Sequence, residues 1–133
     1  MIAYLDSSAF IKLVKTEDES EALIECLRDW SDRVSSRLLR VEVLRAARFG
    51  GDDTVARAET LLRDVALLPL SATIVDRAIE VQPESVRSLD AVHLATALSL
   101  GEDLGTLIAY DRRLVEAAKA AGAPVLSPGA ANA

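Results

Sequence analysis

Short apolar segments alternate with longer amphipathic ones along almost the whole chain, and this alternation limits the possible folds more than any other feature. The short segments predict β-strands at residues 2–5, 33–36, 67–70, 106–110 and 124–126. The longer ones have helical spacing and predict helices at residues 8–14, 19–30, 38–49, 52–65, 71–81, 88–100 and 111–122. We therefore expect an α/β fold, a three-layer α/β/α domain whose central, mainly parallel sheet has four to five strands.

The length of the chain fits one compact domain. Of 133 residues, half are hydrophobic and 27% are charged, which is an ordinary balance for a globular protein. We expect a single domain over residues 1–133, with a frayed tail at residues 127–133. No apolar run reaches the roughly 20 residues of a membrane span, and no basic leader precedes the first strand. The sequence thus predicts a soluble cytoplasmic protein that makes no membrane contact.

The net charge of −6 argues against a protein that binds nucleic acid through a diffuse positive surface. It does not exclude a nuclease, because carboxylates that hold a divalent cation count as negative in a sum that leaves the metal out. The placement of the acidic residues is therefore more informative than their number.

Two acidic residues directly follow predicted strands. Asp6 ends the first strand and Asp111 ends the fourth, and each stands where a helix begins. An N-cap is the ordinary explanation for Asp at such a turn. In open α/β sheets, however, the carboxyl ends of the strands also form the usual ligand-binding edge.

Two further acidic residues lie on apolar helix faces. Glu42 falls in the sector of its helix that also holds Leu38, Leu39, Ala46 and Phe49. The simplest alternative is an ion pair between Glu42 and Arg45, three residues further along the helix. Asp90 shares a helix face with apolar residues, and a favourable position in the first helical turn is its alternative.

A shared metal ion would explain all four acids together. Burying an unpaired carboxylate is costly, and the usual remedies are protonation, a basic partner or a metal ion. The sequence offers carboxylates and hydroxyls but almost no nitrogen or sulfur ligands, which favours Mg²⁺ or Mn²⁺.

Several segments resemble the PIN-domain ribonuclease toxins called VapC. They are Asp6-Ser7-Ser8-Ala9 with Lys12-Leu13 downstream, the helix around Glu42, the run from Arg87 to Ala97, and Tyr110-Asp111-Arg112-Arg113-Leu114. The resemblance covers essentially the whole chain, and Ser-Leu-Asp-Ala-Val-His-Leu-Ala is its most specific piece. One departure is Ala109, where many members have Thr or Ser, and it affects a hydrogen bond beside the site.

The resemblance implies a metal-dependent endoribonuclease, the toxin of a toxin–antitoxin pair. The family's acidic quartet falls on Asp6, Glu42, Asp90 and Asp111, which would hold one or two Mg²⁺ or Mn²⁺ ions and activate water for attack on a phosphodiester. Ser8 would orient a carboxylate. Implied partners are an RNA substrate, a VapB-like antitoxin laid over an apolar helical groove, and a second copy in a homodimer.

Two other residues and two other functions complete the predictions. Arg112 opposes the helix dipole, so we expect an ion pair with a site acid, a contact with substrate phosphate, or a solvated side chain. His93 lies one turn from Asp90 and could be a ligand or a base, but we expect it to bond a backbone carbonyl in the core. The alternatives to cleavage are a PIN-like module that binds RNA or a protein partner without cutting it, and a phosphatase or phosphoryl acceptor with Asp6 as nucleophile.

Overall fold

One five-stranded sheet forms the centre of the protein in a computed structural model, which describes residues 1–131. Its strands are β1 (Ile2–Leu5), β2 (Asp32–Ser36), β3 (Ala66–Leu68), β4 (Leu104–Ile108) and β5 (Val125–Leu126). They lie in the order β3-β2-β1-β4-β5, and all neighbouring strands are parallel. The predicted α/β class with a parallel central sheet is confirmed.

Helices cover both faces of the sheet. They are α1 (Ser7–Val14), α2 (Ser20–Leu27), α3 (Leu38–Ala47), α4 (Asp52–Leu62), α5 (Ala72–Ile79), α6 (Ser88–Leu98) and α7 (Arg112–Ala120). Helices α1 to α4 contribute to one apolar core, and α6 and α7 contribute to the other, with α5 packed on α6. None of the helices within residues 1–131 is long and apolar enough to cross a bilayer.

The central strand β1 shows why both faces are covered. Ala3 and Leu5 point into the core under α1 to α4, whereas Tyr4 points into the core under α6 and α7. All three side chains are fully buried. A strand with alternate side chains in two apolar cores must lie in the middle of the sheet.

The predicted apolar face of α3 is partly wrong. The buried residues are Leu39, Val43 and Ala47, and the helix ends before Phe49, whose side chain is 96% exposed. Phe49 lies in a 3₁₀ turn that leads into Gly51, where the backbone has φ of 90°. The turn breaks the helical spacing from which the burial of Phe49 was predicted.

The segment from Ser127 is anchored instead of frayed as far as the structure describes it. The Ser127 hydroxyl donates to the backbone carbonyl of Ala109, and the Tyr110 hydroxyl donates to the carbonyl of Pro128 at 2.7 Å. Residues 132 and 133, which the same prediction covers, lie outside the described part of the chain.

Candidate active site

Asp6 lies at the carboxyl end of β1, in the middle of the sheet. Leu5 is in register with Ile108 of β4, and the Asp6 backbone N–H donates to the Ile108 carbonyl at 3.2 Å. The Asp6 side chain is 1% exposed, and its Oδ1 accepts the N–H of Ala9 at 2.9 Å. Asp6 therefore is the N-cap of α1, as the simpler explanation of this residue requires.

Ser8 holds the Asp6 carboxylate against the neighbouring strand. Its hydroxyl lies 2.7 Å from Asp6 Oδ1 and 2.9 Å from Oδ2, so it donates to the carboxylate. The same oxygen accepts the backbone N–H of Tyr110 at 3.0 Å. Ser8 thus links the first acid to the segment that leads from β4 to Asp111.

Burial raises the pKa of Asp6 to about 6. The hydrogen bonds from Ala9 and Ser8 oppose this shift by stabilising the charged form, and the negative charge of Asp90 adds to it. The dominant cause is loss of hydration of the carboxylate, and a bound cation would offset the cost of burying that charge.

Asp111 also caps a helix while leaving one oxygen available. Its Oδ1 accepts the N–H groups of Arg113 at 3.0 Å and Leu114 at 3.1 Å, which makes it the N-cap of α7. Across residues 1–131, Oδ2 has no hydrogen-bond donor. Helix capping therefore occupies only one oxygen of this acid, and a second role remains chemically open.

Asp90 lies half-buried in the first turn of α6. In the described part of the chain it has no hydrogen bond and no ion pair. Its pKa is raised first by burial and then by the negative charge of Asp111, with a smaller effect from Glu42. Interactions with His93 and then with Arg87 oppose the shift. Asp111 and Glu42 therefore each add negative charge at the half-buried Asp90 carboxyl.

Glu42 pairs with a histidine instead of the neighbouring arginine. Its Oε1 lies 2.6 Å from Nε2 of His93, and its side chain is 15% exposed. Arg45, the partner of the simpler explanation, is exposed on α3.

His93 is fully buried, and its predicted bond to a backbone carbonyl is wrong. The ring is held between two side chains, with Nδ1 2.7 Å from the hydroxyl of Tyr4 and Nε2 against Glu42. Sequence reasoning missed this role. The available signal was that both Tyr4 and His93 stand on apolar, buried elements, where their polar atoms need partners.

Arg112 makes no contact with the quartet. Its Nε lies 3.9 Å from Glu116 Oε1, and both side chains are more than 70% exposed, at 75% and 72%. The expected ion pair with a site acid is not formed, which leaves the substrate-phosphate and solvated alternatives. On α3, Arg40 forms a two-bond pair with Glu59.

The donor set of the quartet fits a hard divalent cation. All four side chains offer carboxylate oxygens, and those of Asp90 and Asp111 retain unused acceptor capacity. No group of three or more His, Cys, Asp or Glu side chains within residues 1–131 is arranged to hold a metal ion. A site with few direct protein ligands still suits Mg²⁺, because this ion is commonly bound through one or two carboxylates and keeps several waters.

The sequence matches the PIN-domain family over residues 3–120. Ribonuclease VapC46 of Mycobacterium tuberculosis is 45% identical over 125 residues, which are 94% of this chain and 96% of that protein. Ribonuclease VapC47 of the same species is 37% identical over 132 residues, 96% of this chain and 97% of that protein.

Solved structures share the fold at lower identity. Mycobacterium tuberculosis VapC20, a toxin that cleaves the sarcin-ricin loop, superimposes with a TM-score of 0.75 and 15% identity, over 95% of this chain and 99% of that one. A toxin–antitoxin complex from Klebsiella pneumoniae gives a TM-score of 0.72 and 23% identity, over 95% and 97%.

The chain therefore belongs to the PIN-domain family of α/β proteins. Within that family it belongs with the VapC ribonucleases, to which it is similar along almost its whole length. The predicted family and the predicted ribonuclease function are confirmed.

Proposed function

We propose that the protein is a Mg²⁺- or Mn²⁺-dependent endoribonuclease that hydrolyses RNA phosphodiester bonds as the toxin of a VapBC-type pair. The ribonuclease names of its relatives support the reaction. The observation that carries the metal dependence is the half-buried, donor-free carboxylate of Asp90, whose pKa is raised by burial and by Asp111. Such an arrangement of like charges is stabilised by a cation.

The role of each site residue follows from its burial and its hydrogen bonds. Asp6 and Asp90 would hold the ion directly, and Glu42 and Asp111 would hold it directly or through water. When bound, the ion supplies Lewis-acid catalysis of phosphodiester hydrolysis. Glu42 Oε1 is occupied by His93, so Oε2 is the atom that accepts a proton or a ligand. Ser8 fixes the Asp6 carboxylate.

Two other functions compete with this proposal. A phosphoryl acceptor with Asp6 as nucleophile would be expected to have a second acid directly after it, but Ser7 and Ser8 occupy those positions. The sequence therefore argues against nucleophilic attack by Asp6. The module that binds without cutting is the outcome if purified protein leaves RNA intact.

The proposed partners are RNA, a VapB-like antitoxin and a second copy of the chain, all in the cytoplasm. An apolar groove of about 540 Å³ between α1 and the α3–α4 pair supports the antitoxin. Ile11, Val14, Val43 and Phe49 line it. The exposed ring of Phe49 provides an apolar contact for a docked segment.

The test is cleavage of a pool of tRNA and ribosomal RNA by the purified protein. We expect cleavage with Mg²⁺ or Mn²⁺, none with a chelator, and loss of at least two orders of magnitude in Asp6→Ala and Asp90→Ala. Asp32→Ala, an exposed acid on β2, is the matched control and retains activity. Cleavage that resists the chelator, or full activity in both variants, would contradict the mechanism.

A further inference from the structure

The only histidine of the chain connects three elements of the candidate site. His93 lies on α6, one turn beyond Asp90, Tyr4 lies on β1, two residues before Asp6, and Glu42 lies on α3. One acid of the site lies on α3, one on α6 and one, Asp6, directly after β1, and the hydrogen-bonded chain Tyr4–His93–Glu42 ties the three elements together.

We propose that His93 is a positioning residue, which holds the Glu42 carboxylate toward the metal site through the chain Tyr4–His93–Glu42. The proposal rests on the proposed function, since it gives Glu42 a role in binding the cation. It assigns His93 no contact with substrate and no proton transfer.

The directions of the two hydrogen bonds follow from the groups involved. A carboxylate oxygen accepts hydrogen bonds, so His93 Nε2 carries a proton and donates it to Glu42 Oε1 at 2.6 Å. Burial raises the pKa of Tyr4, so its hydroxyl keeps a proton to donate. In a neutral ring, Nδ1 then accepts from Tyr4 at 2.7 Å. Both ring nitrogens of His93 and the Tyr4 hydroxyl then have partners in one tautomer.

Close packing around the imidazole ring of His93 disfavours any other orientation of the ring. His93 is 0% exposed, and the rings of Tyr4 and His93 meet edge to face with centroids 5.8 Å apart and an interplanar angle of 72°. The Tyr4 side chain is itself fully buried. A buried ring fixed at both nitrogens confines the flexible Glu42 side chain to one rotamer, which lowers the entropy cost of binding a cation.

The first test reads the tautomer directly. Since the chain has a single histidine, nitrogen NMR of the labelled protein reports His93 without assignment. We expect a slowly exchanging proton on Nε2 and a bare, hydrogen-bonded Nδ1, and a shift of the Nδ1 resonance in Tyr4→Phe. A proton on Nδ1 with none on Nε2, or an unchanged Nδ1 signal in Tyr4→Phe, overturns the proposal.

The second test separates positioning from stability. Mn²⁺ affinity is measured by calorimetry and RNA cleavage by kcat and KM, for His93→Phe, His93→Gln and wild type. We expect about a 10- to 100-fold loss of Mn²⁺ affinity and a fall in kcat in His93→Phe. His93→Gln restores most of both, because its amide N–H again donates to Glu42.

Leu94→Ala provides the matched control, because Leu94 is a buried neighbour on α6 that makes no side-chain hydrogen bond. It is expected to lower the melting temperature while keeping the Mn²⁺ affinity. Wild-type affinity and kcat in His93→Phe overturn the proposal, as does equal loss in His93→Phe and Leu94→Ala. Wild-type protein that neither binds Mn²⁺ nor cleaves RNA instead overturns the proposed function, and the role of His93 falls with it. The NMR measurement of the His93 tautomer does not depend on metal binding or cleavage, so it distinguishes the two failures.

Discussion

The hydroxyl of Ser8 accepts the backbone N–H of Tyr110 at 3.0 Å while it donates to the carboxylate of Asp6. One side chain thereby joins the turn after β1 to the turn after β4. The distance between the two capping acids, Asp6 and Asp111, depends on this bridge as well as on the pairing of the strands.

Replacing Ser8 by alanine is expected to weaken both the fold and the site. The Tyr110 N–H loses its acceptor, which costs about 1–3 kcal/mol. The Asp6 carboxylate loses a donor that lowers its pKa, so that pKa rises further. Urea unfolding and Mn²⁺ titration measure the two effects. Ser7→Ala is the control, and equal behaviour of the two variants would contradict the role of Ser8.

Asp6→Asn is expected to stabilise the metal-free protein while it abolishes cleavage. The pKa of Asp6 rises from 3.8 to about 6 on folding, so the folded state binds more protons between these values. Stability therefore falls as the pH rises through this window, and the cost is complete above about pH 6. Asparagine keeps an oxygen for the cap but carries no charge.

Urea unfolding in chelator measures this effect. At about pH 7.5 we expect Asp6→Asn to be more stable than wild type by about 1–3 kcal/mol, with the difference gone below about pH 4. Asp32→Asn, on an exposed position of β2, is expected to show no such pH dependence. A variant less stable than wild type at the higher pH would show that burial of the Asp6 charge costs nothing.

Two substitutions of Asp111 separate the helix cap from the acidic site. Asp111→Asn keeps an acceptor for the N–H groups of Arg113 and Leu114, so we expect unchanged stability and impaired cleavage. Asp111→Ala removes the cap as well and is expected to lose about 0.5–2 kcal/mol. Full activity in Asp111→Asn, measured beside thermal unfolding, would reduce Asp111 to a helix cap.

Arg112→Gln is expected to weaken RNA binding without changing stability. The side chain is 75% exposed and, among residues 1–131, reaches only Glu116, at 3.9 Å. If it contacts a substrate phosphate, KM rises, and the slope of log affinity against log salt falls by about one. Arg28→Gln is the matched control, because Arg28 is similarly exposed in a surface ion pair with Glu25. Identical salt dependence of RNA binding in both variants would show that Arg112 contacts no substrate phosphate.

The sequence predicted the strand and helix order because each element has a clear local pattern. Its errors fall where local patterns end. The exposure of Phe49 depends on a turn that local spacing does not reveal, and β4 begins two residues before the predicted start at Thr106.

The sequence could propose four acids because each stands out within one segment, two at strand ends and two on apolar helix faces. Their partners were not, because the pairing of Glu42 with His93 depends on the docking of α3 against α6. The hydrogen bond between His93 and Tyr4 likewise joins elements far apart in sequence. Such contacts are set by tertiary packing, which neither periodicity nor residue preference encodes.

The position of β4 beside β1 also has a consequence for the chain during its synthesis. A growing polypeptide that has produced α1 to α6 already contains Asp6, Glu42 and Asp90, but it lacks the strand that brings Asp111 and the Tyr110 N–H to the first turn. Nascent and truncated products without β4 are therefore expected to be harmless to RNA. We therefore expect RNA cleavage to begin only after the ribosome has passed this strand.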